Sequence, residues 1–496
     1  MTPAARPFII VTLPARSANA ALEEARAAAS SGADLAEVRF DRWPAAEREG
    51  FDRLFPAPLP LVATLRSDAE GGEGPSDADS RRRWLALASR WPFALVDREL
   101  ARDGEPDASG PERGPATIWS AHLPEGADPG RIRAGLDRPR RPGDVAKVVV
   151  PAGVAECLTR ILPLATAPSS GRRILHTVGP SGPLLRAWAG RLALAGVYAR
   201  LPDTGGAATV EPSQLPVDRL RPFLEAGPTA PLFAVVGHPV AHSLSPRLHH
   251  AWMRAHRSPG LYVALDVPDA EELSVAVARL PDRGFRGLNV THPLKRAALG
   301  AADRTTDAAR RCGCANTLTF EDGRVEADNT DLVAMRERLG ELLKDGTWDG
   351  RELLVVGAGG AARAVLAAAS DVSARATILS RSAPGVAELA RTFGAVSSAE
   401  EEPRPMGLIV HATPFGRREA GPLDVPIEGW LGPVSYVLDY VYRPDDPALR
   451  RLAEARGAGY EDGSRLLAYS AAASYARWWG RRPTPAEIDR AIEGRP

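Results

Sequence analysis

Residues 352–369 read ELLVVGAGGAARAVLAAA, an apolar run followed by a glycine-rich turn and an alanine-rich helical segment. Gly357, Gly359 and Ala362 occupy the three small positions of a GxGxxA pattern. A strand, this turn and a helix in that order are typical of a dinucleotide-binding βαβ unit. The next predicted strand ends in Arg381, where NAD-binding proteins usually place an acidic residue. We therefore predict NADP as the cofactor. The alternative interpretation is that Arg381 is only a surface residue in an arginine-rich chain.

Upstream of this unit, short β-rich runs alternate with amphipathic, alanine-rich segments. The eight candidate strands are FIIVTL (8–13), LAEVRF (35–40), LPLVATLR (59–66), FALVDREL (93–100), ATIWSAH (116–122), DVAKVVV (144–150), RRILHTV (172–178) and GVYARL (196–201). Repeated βα alternation over roughly 200–250 residues predicts a (β/α)8 barrel. After strand four the segment 101–115 is rich in glycine, proline and charge, so we expect a loop there in place of a helix.

The chain is thus predicted to be an α/β protein with a TIM barrel followed by a two-lobed α/β unit that contains a Rossmann nucleotide lobe. A proline-bearing stretch at 224–233 places the boundary near residue 226. The predicted segments are the barrel (1–225), a substrate-binding lobe (230–335), the Rossmann lobe (336–465) and C-terminal helices that return to the substrate lobe (466–496).

Composition narrows the classes of function. The 62 basic and 62 acidic residues balance, which disfavours nucleic acid and anionic lipid as partners and favours small molecules. No run of about 18 apolar residues indicates a membrane span, and the N-terminal sequence predicts a cytoplasmic protein. Three cysteines, Cys157, Cys312 and Cys314, are expected to be buried thiols, and no metal site is predicted.

Lysine is rare in this chain. Of the 62 basic residues only Lys147, Lys295 and Lys344 are lysines, and the others are arginines. A lysine amine can lose its proton when desolvated and then act as nucleophile or base, whereas arginine stays protonated. We therefore treat Lys147 and Lys295 as candidate functional groups, and Lys344, in a polar stretch, as a surface residue.

Polar side chains stand at or near the ends of the predicted barrel strands, where the loops of a parallel barrel converge. They are Glu37, Arg39, Asp41, Arg66, Glu70, His122, Lys147 and Arg186. Alternation predicts that Glu37, Arg39 and Asp41 share one side of strand two. Arg186 is expected to begin the helix after strand seven.

Lys147 lies inside the apolar run VAKVVV, where an uncompensated ammonium costs several kcal/mol. A lowered pKa relieves this cost and leaves a neutral amine that can attack a ketone. The iminium so formed acidifies the adjacent C–H, and His122 is the predicted proton carrier for an elimination. The alternatives are a structural lysine paired with a carboxylate and a hydrogen-bonded core histidine.

The motifs of residues 6–222 resemble those of type I 3-dehydroquinate dehydratase and occur in the same order along the chain. The matching motifs are Glu37-x-Arg39-x-Asp41, Arg66 with Glu70-Gly-Gly, Val96-Asp97-x-Glu99, Ser120-x-His122, Lys147 and Pro212-x-Gln214. The resemblance implies that Lys147 forms a Schiff base, that His122 moves protons while Glu70 orients it, and that Arg186 pairs with the substrate carboxylate. It further implies that Glu37, Arg39, Arg66 and Gln214 hold hydroxyl groups and frame the pocket. The lid sequence at 210–214 departs from the family by losing a serine.

The second half carries a different set of polar clusters. They are Ser243 and Ser245 in HSLSP, Asn289, Thr291 and Lys295 in NVTHPLK, Asn316-Thr317, and Asn329-Thr330-Asp331. Turn and helix-cap chemistry is the alternative interpretation of such clusters. A lysine near a carboxylate can hand a proton to a ketone oxygen as hydride arrives.

These clusters resemble shikimate dehydrogenase from about residue 230 to 490. The resemblance implies that Ser243 and Ser245 bind the substrate carboxylate, that Asn289, Thr291 and Asn316 position hydroxyls, and that Lys295 and Asp331 are the catalytic pair. The remaining positions that match substrate- or cofactor-side residues of the family are Tyr442, Ser470, Gly357, Gly359, Gly360, Ala361, Ser380, Arg381, Thr413 and Gly463. Ser470 and Ser380 stand where the family has glutamine and asparagine, His411 stands where it has asparagine, and Leu332 where it has glycine.

The two resemblances imply one chain that converts 3-dehydroquinate to 3-dehydroshikimate and then reduces it with NADPH to shikimate. The alternatives are an NAD(P)-dependent quinate or shikimate dehydrogenase and a barrel kept as a scaffold or ligand sensor.

Overall fold

The computed structural model describes residues 6–103, 114–137, 141–169, 171–202, 210–416, 421, 424, 426–444 and 446–494. The chain divides into two compact units, one built mainly of residues before Phe233 and the other mainly of residues from Phe233 onward. Among the described residues, no helix is both long enough and apolar enough to span a membrane.

The first unit is built on a curled sheet of nine strands. They are β1 (Phe8–Leu13), β2 (Leu35–Arg39), β3 (Leu61–Thr64), β4 (Leu95–Glu99), β5 (Ala116–His122), β6 (Val145–Pro151), β7 (Arg173–Val178), β8 (Gly196–Arg200) and β9 (Leu215–Pro216). Strands β1 to β7 pair in chain order, and β8 pairs in parallel with β1. Opposite that pairing, the N–H of Ala195, just before β8, donates to the carbonyl of Arg173 at 2.8 Å. The eight predicted strands are thus present in barrel order, which confirms the TIM-barrel prediction.

Alternation along these strands produces two layers of side chains inside the barrel. The lower layer is apolar and contains Ile10, Val62, Leu95, Ile118, Val145, Ile174 and Tyr198. Two residues further along seven of the strands lie Thr12, Glu37, Thr64, Asp97, Ser120, Lys147 and His176, all of them buried. We call this second set the polar layer. Its contacts across the barrel show that these side chains face the interior.

Helices pack around the strands of the first unit. They are α1 (Ala18–Ser30), α2 (Ala78–Ala88), α3 (Pro129–Leu136), α4 (Val154–Glu156), α5 (Leu162–Thr166), α6 (Gly182–Ala187) and α7 (Val217–Glu225). A π turn, Cys157–Ile161, joins α4 to α5. Arg186 lies in the last turn of α6, so the prediction that it begins this helix is wrong. Most of the predicted loop 101–115 falls outside the described residues.

From Leu232 onward the chain forms two six-stranded sheets. Their strands are β10 (Leu232–Gly237), β11 (Leu261–Asp266), β12 (Phe285–Val290), β13 (Arg304–Thr305), β14 (Thr317–Glu321), β15 (Arg324–Asp328), β16 (Glu352–Val356), β17 (Arg375–Leu379), β18 (Val396–Ser397), β19 (Leu408–His411), β20 (Tyr436–Asp439) and β21 (Gly459–Glu461). The first sheet has the order β11-β10-β12-β14-β15-β13 and contains antiparallel pairs.

The second sheet is parallel throughout, in the order β18-β17-β16-β19-β20-β21. Numbered within this sheet the order is 3-2-1-4-5-6, which is the Rossmann order. The strand order reverses between β16 and β19, and a ligand crevice is expected at the carboxyl ends of these two strands. The accompanying helices are α8 (Ser245–Ala255), α9 (Ala270–Arg279), α10 (Lys295–Gly300), α11 (Asp307–Cys312), α12 (Thr330–Lys344), α13 (Gly360–Asp371), α14 (Ala383–Phe393), α15 (Ala448–Ala455), α16 (Ser464–Trp479) and α17 (Pro485–Glu493).

Candidate active sites

Lys147 lies in the polar layer of the barrel, 95% buried. Its Nζ is 3.5 Å from Asp97 Oδ2 on β4 and 3.9 Å from Glu37 Oε1 on β2, and it stands 4.0 Å from the centre of the Tyr198 ring. Burial lowers the pKa of Lys147, and the two carboxylates oppose that effect only in part. The result is an amine that deprotonates more easily than an exposed lysine.

Next to this lysine, His122 is held by Glu70. Glu70 Oε2 lies 2.9 Å from His122 Nδ1 and accepts the His122 backbone N–H at 3.3 Å. It also accepts a hydrogen bond from Arg66 at 3.0 Å, so Nδ1 carries the hydrogen and Nε2 is the free base of the ring. Burial lowers the pKa of His122 and raises the pKa of Glu70 to about 7. Glu70 can therefore take up a proton near neutral pH, where the lowered pKa keeps the His122 ring an unprotonated base.

Arg66 is the centre of a buried network of carboxylates. Its guanidinium donates two hydrogen bonds to Asp97, both at 3.0 Å, and one each to Glu70, Glu99 and the Ser120 hydroxyl. With most of its N–H groups occupied in this way, Arg66 has little capacity left for a substrate hydroxyl. The geometry favours a role in holding Asp97 and Glu70 in place.

The other predicted barrel residues surround the same space. Glu37 accepts hydrogen bonds from Thr12 and Thr64, each at 2.9 Å, and Gln214 donates to Thr12 at 3.2 Å. Arg39 forms two hydrogen bonds of 2.8 Å with Asp41. Asp41 follows β2 in a short 3-10 turn, so strand alternation does not extend to it as predicted.

Arg186 is a buried guanidinium that donates to backbone carbonyls. It donates to Thr177 O at 2.7 Å, to Gly182 O at 2.5 Å and to Tyr198 O at 3.3 Å. Among the described residues it forms no ion pair with a carboxylate. Burial lowers the pKa of Arg186 to about 10, which reflects a charge with little compensation. Such a group is suited to a carboxylate that arrives with a ligand.

Asp97, Tyr198 and His176 are three residues of this site to which the sequence analysis gave no role. Asp97 contacts Lys147, and the Tyr198 ring faces the ammonium group. His176 Nε2 accepts the Tyr198 backbone N–H at 3.1 Å. Strand alternation would have identified two of them, because Asp97 faces the same side as His122 on the neighbouring strand β5, and His176 the same side as Lys147 on β6.

The second site is a cavity of about 1190 Å³ in the second unit. It is lined by every predicted residue of the second half, namely Ser243, Ser245, Asn289, Thr291, Lys295, Asn316, Asp331, Gly357, Gly359, Gly360, Ala361, Ser380, Arg381, Thr413, Tyr442, Gly463 and Ser470. The structure therefore brings the whole predicted set to one cavity.

A chain of hydrogen bonds runs along one wall of the cavity. Lys295 Nζ donates to Asp331 Oδ2 at 2.6 Å, and Ser470 donates to the other oxygen of Asp331 at 3.0 Å. Asn316 donates to Ser470 at 3.1 Å and accepts the Thr330 backbone N–H at 2.7 Å. Burial acts to lower the pKa of Lys295, but the Asp331 charge outweighs burial and raises it. Lys295 is accordingly a protonated donor.

Two further polar groups complete that wall. Asn289 donates to Thr317 Oγ1 at 3.1 Å and accepts from Ser474 at 3.3 Å, a residue missed in the sequence. The Ser245 backbone N–H donates to Ser243 Oγ at 3.3 Å, which is turn chemistry, and no side chain caps the start of α8.

The glycine turn after β16 also lines the cavity. Gly357 has φ +123°, and a Cβ there would lie 2.9 Å from both Ala412 O and Thr413 Cγ2, so only glycine fits. A Cβ at Gly360 would lie 2.8 Å from Lys295 Cδ, which shows that the turn packs directly on the lysine stem. Arg381, 58% exposed, pairs with Asp424 at 2.9 Å and stands over the Phe415 ring.

Comparison with known proteins gives two family matches. Residues 9–227 match the model for type I 3-dehydroquinase, and residues 235–318 match the model for the shikimate dehydrogenase substrate binding domain. Shikimate dehydrogenase (NADP(+)) of Methylobacterium radiotolerans is 40% identical over 271 residues, covering 52% of this chain and 95% of the relative. The same enzyme of Roseobacter denitrificans is 37% identical over 272 residues, covering 53% and 96%.

One solved structure spans nearly the whole chain. It is described as dehydroquinate dehydratase and shikimate dehydrogenase from S. pombe AroM, with 21% identity, a TM-score of 0.43 and coverage of 98% of each chain. The assignment rests on the family matches: residues 9–227 form a type I 3-dehydroquinase domain, and the second half of the chain belongs to the shikimate dehydrogenase (NADP(+)) family.

Proposed function

We propose that the chain catalyses two consecutive reactions, the dehydration of 3-dehydroquinate to 3-dehydroshikimate and the NADPH-dependent reduction of 3-dehydroshikimate to shikimate. One observation carries the proposal: two of the three lysines lie in two different polar sites, with pKa values shifted in opposite directions. One amine is set up as a nucleophile and the other as a proton donor. The family matches of the two halves support the same pair of reactions.

In the barrel, the neutral Lys147 amine attacks the substrate ketone, and loss of water gives an imine. The protonated imine acidifies the adjacent C–H, and His122 Nε2 takes that proton. The substrate hydroxyl then leaves as water, with the proton supplied by His122. Hydrolysis of the imine restores the amine, so the net change is loss of one water molecule. Glu70 holds the His122 ring with Nε2 facing the substrate.

The charged groups around Lys147 divide the work of binding. Arg186, whose partners are carbonyls, pairs with the substrate carboxylate. Glu37, Arg39 and Gln214 frame the hydroxyl side of the pocket. Arg66 was predicted to bind a hydroxyl; we propose that it acts mainly by holding Asp97 and Glu70.

The cavity of the second unit fits NADP. The turn at 357–360 leaves room for phosphates at the N-terminus of α13, where backbone N–H groups favour an anion. Gly357, Gly359, Gly360 and Ala361 would hold the pyrophosphate, and Ser380 with Arg381 the 2′-phosphate. When bound, the nicotinamide supplies hydride to the ketone carbon. Thr413 and Gly463 line the remaining cofactor side, and Tyr442 lines the substrate side.

Lys295 donates its proton to the ketone oxygen of the substrate as that oxygen becomes negative. Asp331 keeps Lys295 protonated and oriented through the 2.6 Å hydrogen bond. Ser243 and Ser245 bind the carboxylate near the start of α8. Asn289, Thr291, Asn316 and Ser470 bind ring hydroxyls. The partners are therefore small molecules, and we assign the protein to the cytoplasm.

A coupled assay tests the proposal. The protein is given 3-dehydroquinate and NADPH, and both shikimate formation and NADPH consumption are followed. We expect equal amounts of both. Turnover only when 3-dehydroshikimate is supplied would show that the barrel is a scaffold, and equal rates with NADH or with quinate would favour the broader dehydrogenase.

A further inference from the structure

A buried histidine stands behind the cofactor-side threonine. His411, the last residue of β19, is 99% buried. Its Nδ1 lies 2.8 Å from Asp439 Oδ1 at the end of β20, and its Nε2 lies 2.5 Å from Thr413 Oγ1. The three side chains form an Asp–His–Thr chain of hydrogen bonds that ends in the cavity, because Thr413 is a lining residue.

The hydrogen-bond count fixes the direction of this chain. Asp439 accepts from the Val441 backbone N–H at 2.8 Å and from the Tyr460 hydroxyl at 2.9 Å. Burial, reinforced by the Asp439 charge, raises the pKa of Tyr460 and keeps it a donor. With these donors around it, Asp439 is the acceptor for His411 Nδ1–H. With its Nδ1–H donated to Asp439, the ring offers Nε2 as an acceptor to the Thr413 hydroxyl.

Thr413 itself cannot rotate freely. Its methyl group packs against Gly357, where a Cβ would lie 2.9 Å from Thr413 Cγ2. Its oxygen accepts the Phe415 backbone N–H at 3.3 Å. A hydroxyl has one hydrogen and two acceptor positions. The hydrogen goes to His411 and one acceptor position to Phe415, so one acceptor position remains for the cavity.

We propose that His411 is a positioning residue that makes Thr413 an obligate hydrogen-bond acceptor for the dinucleotide. The ligand group it selects is a hydrogen-bond donor, either the carboxamide N–H of the nicotinamide half or a sugar hydroxyl of the adenosine half. The inference rests on the proposed function, because it takes the cavity ligand to be NADP. It adds a role for a histidine that does not line the cavity.

Thr413→Val is the first test, because valine keeps the shape and removes the oxygen. We expect the Kd for NADP+ to rise by about threefold to tenfold, the loss of one net hydrogen bond. Thr377→Val is the matched control: Thr377 is a buried threonine of the same sheet that donates to Glu401 at 2.8 Å and does not line the cavity. The Kd of the Thr377→Val variant for NADP+ should stay within about twofold of the wild-type value.

The role of His411 is tested by a double-mutant cycle. His411→Phe should weaken NADP+ binding while leaving the KM for shikimate within about twofold, and in the Thr413→Val background it should add nothing further. His411→Gln replaces it in the cycle if the phenylalanine variant does not fold. A merely structural role would instead give the same loss with and without the Thr413 hydroxyl. Thr413→Ser keeps the hydroxyl group and should therefore bind NADP+ about as tightly as the wild type.

Adenosine 2′,5′-bisphosphate distinguishes the two sources of the donor. If Thr413→Val weakens NADP+ alone, the donor lies on the nicotinamide half; if it weakens both ligands, the donor lies on the adenosine half. Either result supports the proposal. Unchanged binding of both ligands to Thr413→Val, or additive losses in the cycle, would overturn it. A wild-type protein that binds no NADP+ would instead refute the proposed cofactor, and the inference with it.

Discussion

Replacing Lys147 by methionine should abolish the dehydratase reaction and leave the fold intact. Asp97, the nearest carboxylate, keeps two hydrogen bonds from Arg66 at 3.0 Å and one from Ser120 at 2.6 Å when the amine is removed. The lost contact to Lys147 is longer, at 3.5 Å. Methionine fills a similar volume, so we expect a loss of about 1–2 kcal/mol in the free energy of unfolding.

The Lys147→Met change should affect the dehydratase rate far more than it affects the free energy of unfolding. Without the amine no imine forms, and we expect kcat to fall by at least about 10⁴-fold, which is about 5 kcal/mol in the activation barrier. Dehydratase turnover is followed by the absorbance of the conjugated product. The reductase activity of the same sample is the internal control and should stay within about twofold, since none of the residues proposed for the reduction is changed.

Trapping makes the test chemical as well as kinetic. Borohydride added with 3-dehydroquinate should attach a ligand mass to Lys147 in the wild type and nothing in Lys147→Met. Two results would refute the reasoning: an unmodified wild-type protein that is nevertheless active, or an adduct of equal yield in the methionine variant.

Three further predictions concern single residues. Glu70→Gln should lower dehydratase kcat by about 10- to 100-fold, because His122 loses its orienting carboxylate. Since the folded pKa of Glu70 is raised to about 7 from 4.5, the stability contributed by its proton is full below about pH 4.5 and is lost as pH rises through about 7. Glu70→Gln should remove this slope in denaturation curves measured across that range. Lys295→Met should lower reductase kcat by at least about 10²-fold and leave the dehydratase unchanged; near-normal reduction would contradict its role. Arg381→Ala should reduce the preference for NADPH over NADH by about tenfold in initial rates, and an unchanged ratio would assign 2′-phosphate binding elsewhere.

Much of the architecture could be predicted because it depends on local periodicity. Strand β1 and strand β5 have the predicted bounds, and the other barrel strands differ by only one or two residues at either end. Because successive side chains of a strand alternate between its two faces, the sequence also indicates which side chains face inward. Glu37 and Lys147 could therefore be placed inside one barrel before any distance was known. Lys344 is exposed and the three cysteines are buried and free, as expected from their surroundings in the sequence.

What could not be predicted depends on partners that are distant in sequence. That Arg66 is occupied by Asp97 and Glu99 follows from the pairing of β3 with β4 and not from its own segment. The Asp41 error has a local cause, since β2 ends at Arg39 and the chain turns before alternation can continue. His411 was visible only as a departure from the family, because its partner Asp439 lies 28 residues away.

The scarcity of lysine makes physical sense in light of the two sites. An arginine at position 147 would stay charged among Asp97 and Glu37 and could not form an imine, since its guanidinium does not deprotonate. Burial lowers the pKa of Lys147, Asp97 and Glu37 oppose that effect only in part, and the charge of Arg66 adds to it. Lys295 has Asp331 at 2.6 Å, and the pKa of its ammonium rises. The same side chain thus serves as a nucleophile in one unit and as an acid in the other, and the closeness of a single carboxylate decides which.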